Sequence, residues 1–422
     1  MAIIRPFKAL RPTIEKAQLV ASVPYDVVNR EEAAHFAEGN LLSYLHITRS
    51  EIDLPDVKDV YSKEVYLKAK ENLNRIIKEA PLKIDDKPSF YLYRLIMDGR
   101  AQTGICATFS VDDYDNDVIL KHEKTRKVKE DDRTNHIITT EAQTGIVFLT
   151  YRGVNNVNDV VDKTIAEAKP EYDFTSPDGI QHTVWIVPEN YNQIIISEFV
   201  KINKLYIADG HHRAKSASRA REEKKKAHPN PTGNEDYNYF VAVIFPAEQL
   251  KILPYNRVVF DLNKLSKEDF LNAVSEKFDV KPTNDLPTGQ AGKQPQTKNQ
   301  FCMYLDKQWY QLKARDSVLA SLSLEKSVGE KLDVSILQNF LLNPVLGIDD
   351  PRTNTRIDFI GGIRGTKELE KLVDSGKAAV AFSLYPVELD DLMNISDAGE
   401  VMPPKSTWFE PKLRDGLLTH LI

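Results

Sequence analysis

Apolar residues recur at helical spacing between residues 57 and 80, at Val60, Val65, Tyr66, Ala69, Leu73, Ile76 and Ile77. That period predicts one amphipathic helix. The run Ser89-Phe-Tyr-Leu-Tyr-Arg-Leu-Ile-Met97, the turn formers Asp98-Gly99-Arg100 and a second apolar run over 103–111 predict a hairpin. Short apolar runs at 118–120, 145–151, 183–187, 205–208 and 239–245 predict further strands. A polar helix is expected after the first of these, and a helix of good formers after the fourth. Strands and helices alternate again over 255–400. The pattern is that of an α+β protein with no repeat of fixed period.

Two segments break the pattern. Residues 222–236 carry Lys224-Lys-Lys226 and the turn cluster Pro229-Asn-Pro-Thr-Gly233, and residues 283–300 are rich in Gly, Pro, Gln and Lys. Both are expected to form mobile surface. The lysine run, flanked by glutamates, reads as a solvated helix end.

The length of 422 residues suggests two or three domains at roughly 150 residues each. Hydrophobic content of 41% and charged content of 28% are those of an ordinary globular protein. The net charge of −6 argues against a general nucleic-acid binder. Cys106 and Cys302 lie far apart in apolar runs and read as small core residues in a reducing compartment. No run approaches the ~18 apolar residues of a membrane span, and the first residues lack the charged-then-apolar plan of a signal peptide. A cytoplasmic protein without membrane contact is expected.

Candidate chemistry centres on Leu205-Tyr-Ile-Ala-Asp-Gly-His-His-Arg-Ala-Lys-Ser-Ala-Ser-Arg219. A strand stops at Asp209-Gly210 and a helix begins at once. Unpaired amides, the helix dipole, His211, His212 and Arg213 then meet at a helix N-terminus, where an anion, most simply a phosphate, binds. Gly210 allows close backbone approach. Asp209 is either a turn residue or a carboxylate that holds Mg²⁺ beside phosphates. Adjacent histidines diverge in direction, and no Cys or third His stands at zinc-site spacing.

The second stretch runs from Ile119 to His136. Glu123 falls at a strand-to-helix transition and is ionised at neutral pH, so it can accept a proton from an attacking hydroxyl. A helix from about Lys124 would place Arg126, Lys129, Arg133 and His136 on one face. That face suits a polyanion; equally, with Glu130, Asp131 and Asp132 interleaved, it suits a solvated helix. Near the C-terminus, prolines lead into Lys405-Ser406-Thr407, a cation flanked by two hydroxyls that suits a phosphate or an ordinary loop. Val23-Pro-Tyr-Asp-Val-Val28 and Asn40-Leu-Leu-Ser-Tyr-Leu-His-Ile-Thr-Arg49 could line a pocket or pack a domain. Gly361-Gly-Ile-Arg-Gly365 lacks the spacing of a dinucleotide fingerprint.

The Asp209-Gly-His-His-Arg213 turn resembles the phosphate-binding turn of the ParB/sulfiredoxin superfamily. Together with Leu120-Lys-His-Glu123 and a terminal Pro-Lys-Ser-Thr, it is similar to the free serine kinases and to a large bacterial family of unknown function related to them. Pro24-Tyr-Asp-Val27, residues 40–49, His122-Glu-Lys-Thr125, Pro254-Tyr-Asn-Arg-Val258 and residues 402–412 extend that second likeness over nearly the whole chain. The resemblance implies a central ParB/sulfiredoxin-like nucleotide-binding domain over 113–250. An N-terminal α+β region over 1–112 and a C-terminal one over 251–422 would be packed around it, the latter adding its Pro-Lys-Ser-Thr loop to the site.

The activity implied is ATP- or ADP-dependent, magnesium-assisted phosphorylation of free L-serine to O-phospho-L-serine, in amino-acid metabolism. Glu123 matches the general base, and Asp209, Gly210, His211, His212 and Arg213 match the nucleotide-phosphate turn, Asp209 being the candidate Mg²⁺ ligand. His122, Arg126, Lys129, Arg133, Lys405, Ser406 and Thr407 are the implied substrate or phosphate contacts. His211 stands where a sulfiredoxin carries its catalytic cysteine, which removes thiol chemistry. The remaining alternatives are a non-catalytic nucleotide-binding regulatory protein and a ParB-like nuclease.

Overall fold

The computed structural model describes residues 1–283, 292–322 and 326–422. The chain divides into two compact units, Met1–Leu250 with Pro411–Ile422, and Lys251–Glu410. Both mix strands and helices.

The first unit is organised by one nine-stranded sheet. Its strands are β1 (Ile4–Arg5), β2 (Tyr91–Met97), β3 (Arg100–Ser110), β4 (Ile119–Leu120), β5 (Val147–Tyr151), β6 (Tyr172–Thr175), β7 (Gln181–Ile186), β8 (Leu205–Asp209) and β9 (Tyr239–Pro246). The order is β4-β8-β5-β9-β3-β2-β7-β6, with β1 on β3. The pairs β4–β8 and β5–β9 are parallel and the rest antiparallel. β9 is buried at every position, as an unbroken apolar run in a central strand must be. β2 and β3 form the expected hairpin. Asp98 and Gly99 both lie at positive φ (51° and 75°), the two-residue turn that matches strand twist. Phe109, Leu149, Ile207, Ala214, Ala217 and Phe240 belong to the core on one face of this sheet.

Three helices bear on the site: α1 (Lys63–Glu79), α2 (Lys127–Thr140) and α3 (His211–Ala227). α1 buries Val65, Tyr66, Ala69, Leu73 and Ile76, the stripe read from the sequence, but starts six residues after Val57 was expected to open it. Asp59 accounts for the delay. Its carbonyl and carboxylate accept the amides of Ser62 and Tyr61, holding this stretch in a turn. α3 runs to Ala227, so the lysine run is its last turn and the residues after it are exposed. The segment Pro411–Ile422 joins this unit through pairing of His420–Leu421 with Ala142–Gln143 and of Asp415 with Ser22.

The second unit holds a six-stranded, wholly antiparallel sheet of β10 (Tyr255–Val259), β11 (Phe278–Pro282), β12 (Gln300–Leu305), β13 (Gln308–Ala314), β14 (Ile357–Gly361) and β15 (Val380–Leu384). The order is β11-β13-β12-β15-β10-β14. Residues 284–291, inside the segment expected to be mobile surface, lie outside the described residues. Cys106 and Cys302 are both buried and unpaired. Among the described residues no helix is long and apolar enough to cross a membrane.

Candidate functional site

β4 and β8 run parallel with Leu120 opposite Tyr206. Lys121-His122-Glu123, which follow β4, and Asp209, the last residue of β8, therefore lie at the same end of the sheet. Ligand sites of α/β sheets are built at such carboxyl ends. Gly210 then turns at φ +96°, a left-handed conformation that glycine adopts without strain, and α3 starts at the next residue. The amides of its first turn lack helical partners and point out of the helix.

Two contacts lock these strand ends together. The His211 ring packs edge-on against the His122 ring, with centroids 4.4 Å apart, and its Nε2 accepts the His122 amide at 3.4 Å. The His212 Nε2 accepts the Arg126 amide at 3.0 Å. The histidines of the turn thus grip the loop that carries Glu123. The same contact explains why α2 opens at Lys127 and not near Lys124. The Arg126 amide is committed to His212, and Thr125 donates its hydroxyl to Glu130 at 2.6 Å. Burial pushes His122 and His211 down to about 3, so both rings are neutral. Glu123 is half-buried in the loop.

Arg213 is 6% exposed and is the hub of the turn. Its Nη2 lies 2.8 Å from Asp209 and 3.3 Å from Asp26, and its Nη1 donates to the Ile146 carbonyl. Lys412 reaches the same Asp209 oxygen at 3.6 Å. Burial alone would raise the Asp209 carboxyl, but Lys412 and Arg213 hold it well below the usual carboxylate range. The Arg213 side chain crosses Gly145 so closely that a Cβ there would stand 3.0 Å from its Cδ and 3.9 Å from Asp415 Oδ2. Asp415 accepts the Ile146 amide at 3.4 Å. Burial pushes its carboxyl up to about 7, against the pull of Arg213.

Arg126, Lys129, Arg133 and His136 follow Glu123 along the chain, at the start of α2 and within it. Arg126 caps α2 in an exposed position. Lys129 donates to the Tyr61 hydroxyl at 3.0 Å. Arg133 is ion-paired to Asp132 at 3.0 Å and lies over the Tyr25 ring at 4.2 Å, and His136 bonds the Ile47 carbonyl at 3.0 Å. This part of α2 packs on the N-terminal segment, and residues 40–49 are part of that packing. Arg133, His136, Tyr25 and Arg213 line one small cavity. Lys405, Ser406 and Thr407 belong to the second unit.

The family described as proteins of unknown function, DUF1015, matches residues 4–335. The chain belongs to this family. The motif resemblance to a large family of unknown function is met by that match, which ends before the 402–412 stretch. No curated protein matches the chain. Among solved structures it is similar to SbnI with a C-terminal truncation from Staphylococcus aureus, at 11% identity over 75% of this chain and 87% of that one (TM-score 0.38). It is similar to a mutant free serine kinase in complex with AMP, at 12% identity over 80% and 95% (TM-score 0.34). A conserved hypothetical protein from Pyrococcus furiosus matches at 12% identity over 75% and 94% (TM-score 0.34).

In this DUF1015 chain, sequence reasoning missed Asp26, Lys412 and Asp415. Asp26 had a signal, since Pro24-Tyr-Asp stood out as possible pocket lining. Lys412 and Asp415 had none beyond their position in the terminal stretch. Asp415 gives a testable pH effect. Its carboxyl titrates near 4 when unfolded and is raised to about 7 when folded, so between these values the folded state binds more protons. Stability from this group is therefore full in acid and is lost as pH rises from about 4 to about 7. The buried histidines His122, His136 and His211 act in the opposite sense, because their folded values lie below 6.5. Comparing Asp415→Asn with wild type in urea unfolding at stepped pH isolates the carboxylate. The variant should gain relative stability across that window, and parallel profiles would refute the raised carboxyl.

Proposed function

We propose that this protein is a nucleotide-dependent kinase that transfers a terminal phosphoryl group to the hydroxyl of free L-serine. The observation that carries the reading is the interlock of the two strand ends, His122 with His211 and Arg126 with His212. It ties the loop that carries Glu123 to the start of α3, which supports a carboxylate working beside amides suited to phosphates. Phosphoryl transfer asks a protein for alignment, charge neutralisation and a proton acceptor, and little else. The motif resemblance to free serine kinases suggests the acceptor and implies that residues 113–250, which share their sheet with strands from residues 4–110, carry the nucleotide-binding part.

In this mechanism the Glu123 carboxylate takes the proton of the serine hydroxyl as its oxygen attacks the terminal phosphorus. The new O–P bond forms while the bond from that phosphorus to the leaving ADP, or to AMP if ADP is the donor, breaks. The first-turn amides of α3 hold the phosphates in line. Charge balance favours a metal partner. The hub pairs two cations, Arg213 and Lys412, with two carboxylates, Asp209 and Asp26, leaving no surplus for a polyphosphate. Mg²⁺ would supply that charge. Among the described residues no three acidic, histidine or cysteine side chains converge into a cage. Asp209 would be the protein ligand of an ion that arrives with the phosphates.

The direct test is purified protein with Mg²⁺, L-serine and either ATP or ADP, read by phosphorus NMR. O-Phosphoserine is the expected product. Failure of both donors to phosphorylate any amino acid or small alcohol would rule the kinase out.

A further inference from the structure

The acids interleaved along α2 do not all face solvent. Glu130 has 16% of its side chain exposed, and both of its carboxylate oxygens are in use. Oε1 accepts the Thr125 hydroxyl at 2.6 Å, and Oε2 meets the Arg219 guanidinium at 3.2 Å. Its carbonyl accepts the hydroxyl of Ser216, a fully buried residue, at 3.2 Å. Arg219 also reaches Asp131 at 2.5 Å. His212, Ser216 and Arg219 stand four and three residues apart, so they share one face of α3. All three bond the stretch from Arg126 to Asp131. One face of the helix that opens at the turn thus holds the start of α2 at three points.

Helix geometry gives the Thr125–Glu130 bond a particular task. Arg126 is the N-cap of α2 and Lys127 its first residue, so Thr125 precedes the cap and Glu130 is the fourth residue of the helix. A contact between those two positions fixes the angle at which a chain enters a helix. In many helices that contact is apolar; here it is a hydrogen bond. The Arg126 side chain makes no cap bond of its own. The direction of the preceding residues therefore depends on the Thr125 hydroxyl and on the Arg126 amide held by His212. Glu123 stands two residues before Thr125.

We propose that Glu130 is a positioning residue for Glu123. Through Thr125 it sets the approach of the Glu123 loop to α2, and through Arg219 it ties that approach to α3. The inference rests on the kinase reading for what Glu123 does. A reacting group misplaced by about 1 Å can cost about 10²-fold in rate. Loss of this strut therefore shows in turnover while the first-turn amides of α3 stay where they are.

The test compares Thr125→Val, which keeps the size and removes the donor, with Thr125→Ser, which keeps the hydroxyl. Glu130→Ala removes the strut from both sides and leaves Arg219 its bond to Asp131. Thr125→Val and Glu130→Ala should each lower kcat by about 10–10²-fold with nucleotide affinity unchanged, and Thr125→Ser should restore most of the rate. On a Glu123→Gln background, Thr125→Val should cost nothing more, because the proton acceptor it positions is already gone. Equal losses on both backgrounds, or wild-type kcat in a folded Thr125→Val protein, overturn the proposal. The strut is also read without turnover, by peptide-resolved hydrogen exchange over residues 121–128. Exchange there should quicken in Thr125→Val and not in Thr125→Ser. Quickened exchange in a protein that phosphorylates nothing keeps the strut and sinks the kinase. Unchanged exchange overturns the strut even if serine is phosphorylated.

Discussion

Glu123→Gln should leave nucleotide binding intact and lower kcat for phosphoryl transfer by about 10²–10⁴-fold, the usual worth of a positioned general base. Glutamine keeps the size and the hydrogen-bonding oxygen of the side chain but cannot take a proton at neutral pH. The loop itself should hold, because its anchors lie in other residues: the His122 amide on His211, the Arg126 amide on His212 and Thr125 on Glu130. A drop of that size corresponds to about 3–5 kcal/mol of barrier, well above what altered packing of a half-buried loop side chain would give. Measuring kcat together with nucleotide affinity separates the roles. Lost affinity with unchanged kcat would make Glu123 a binding residue, and unchanged kinetics would remove it from the chemistry.

The strand–turn–helix at Leu205–Ala227 was legible because its signals are local. An apolar run ends at Asp209-Gly210, and only glycine is at ease at φ +96°. The hairpin at 91–110 was legible for the same reason. The late starts of α1 and α2 were not, since each depends on a hydrogen bond that periodicity does not encode. At α2 that bond comes from His212, 86 residues along the chain. Distance also hid the character of Arg213. From sequence it reads as a phosphate ligand at a helix start. In the fold it is buried among Asp209, four residues before it, and Asp26, 187 residues before it, with Asp415 of the terminal segment close by. Charge pairing across such separations leaves no mark in spacing or composition. The two imidazoles were legible as part of the turn, but their use as clamps on the Glu123 loop appears only once β4 and β8 are side by side.

That burial changes what Arg213→Ala is expected to do. Truncation strands Asp209, Asp26 and Asp415 around an empty guanidinium site, with Lys412 the one remaining cation in ion-pair contact with Asp209 among the described residues. Removing one partner of a buried ion pair typically costs about 3–5 kcal/mol. The variant should therefore lose a large part of its folding stability as well as its affinity for nucleotide. A lysine at 213 keeps the charge but not the fork that spans Asp209 and the Ile146 carbonyl, so it should recover stability only partly. If the cost comes from stranded carboxylates, adding Asp415→Asn to Arg213→Ala should restore stability above that of the single variant, a non-additivity confined to groups in contact. A double variant no more stable than the single one would refute the hub. Weaker nucleotide binding with an unchanged urea midpoint would return Arg213 to the simpler role of a phosphate ligand. The hub predicts both losses together, because the residue that neutralises Asp209 also fixes the Gly145–Ile146 segment against the first turn of α3.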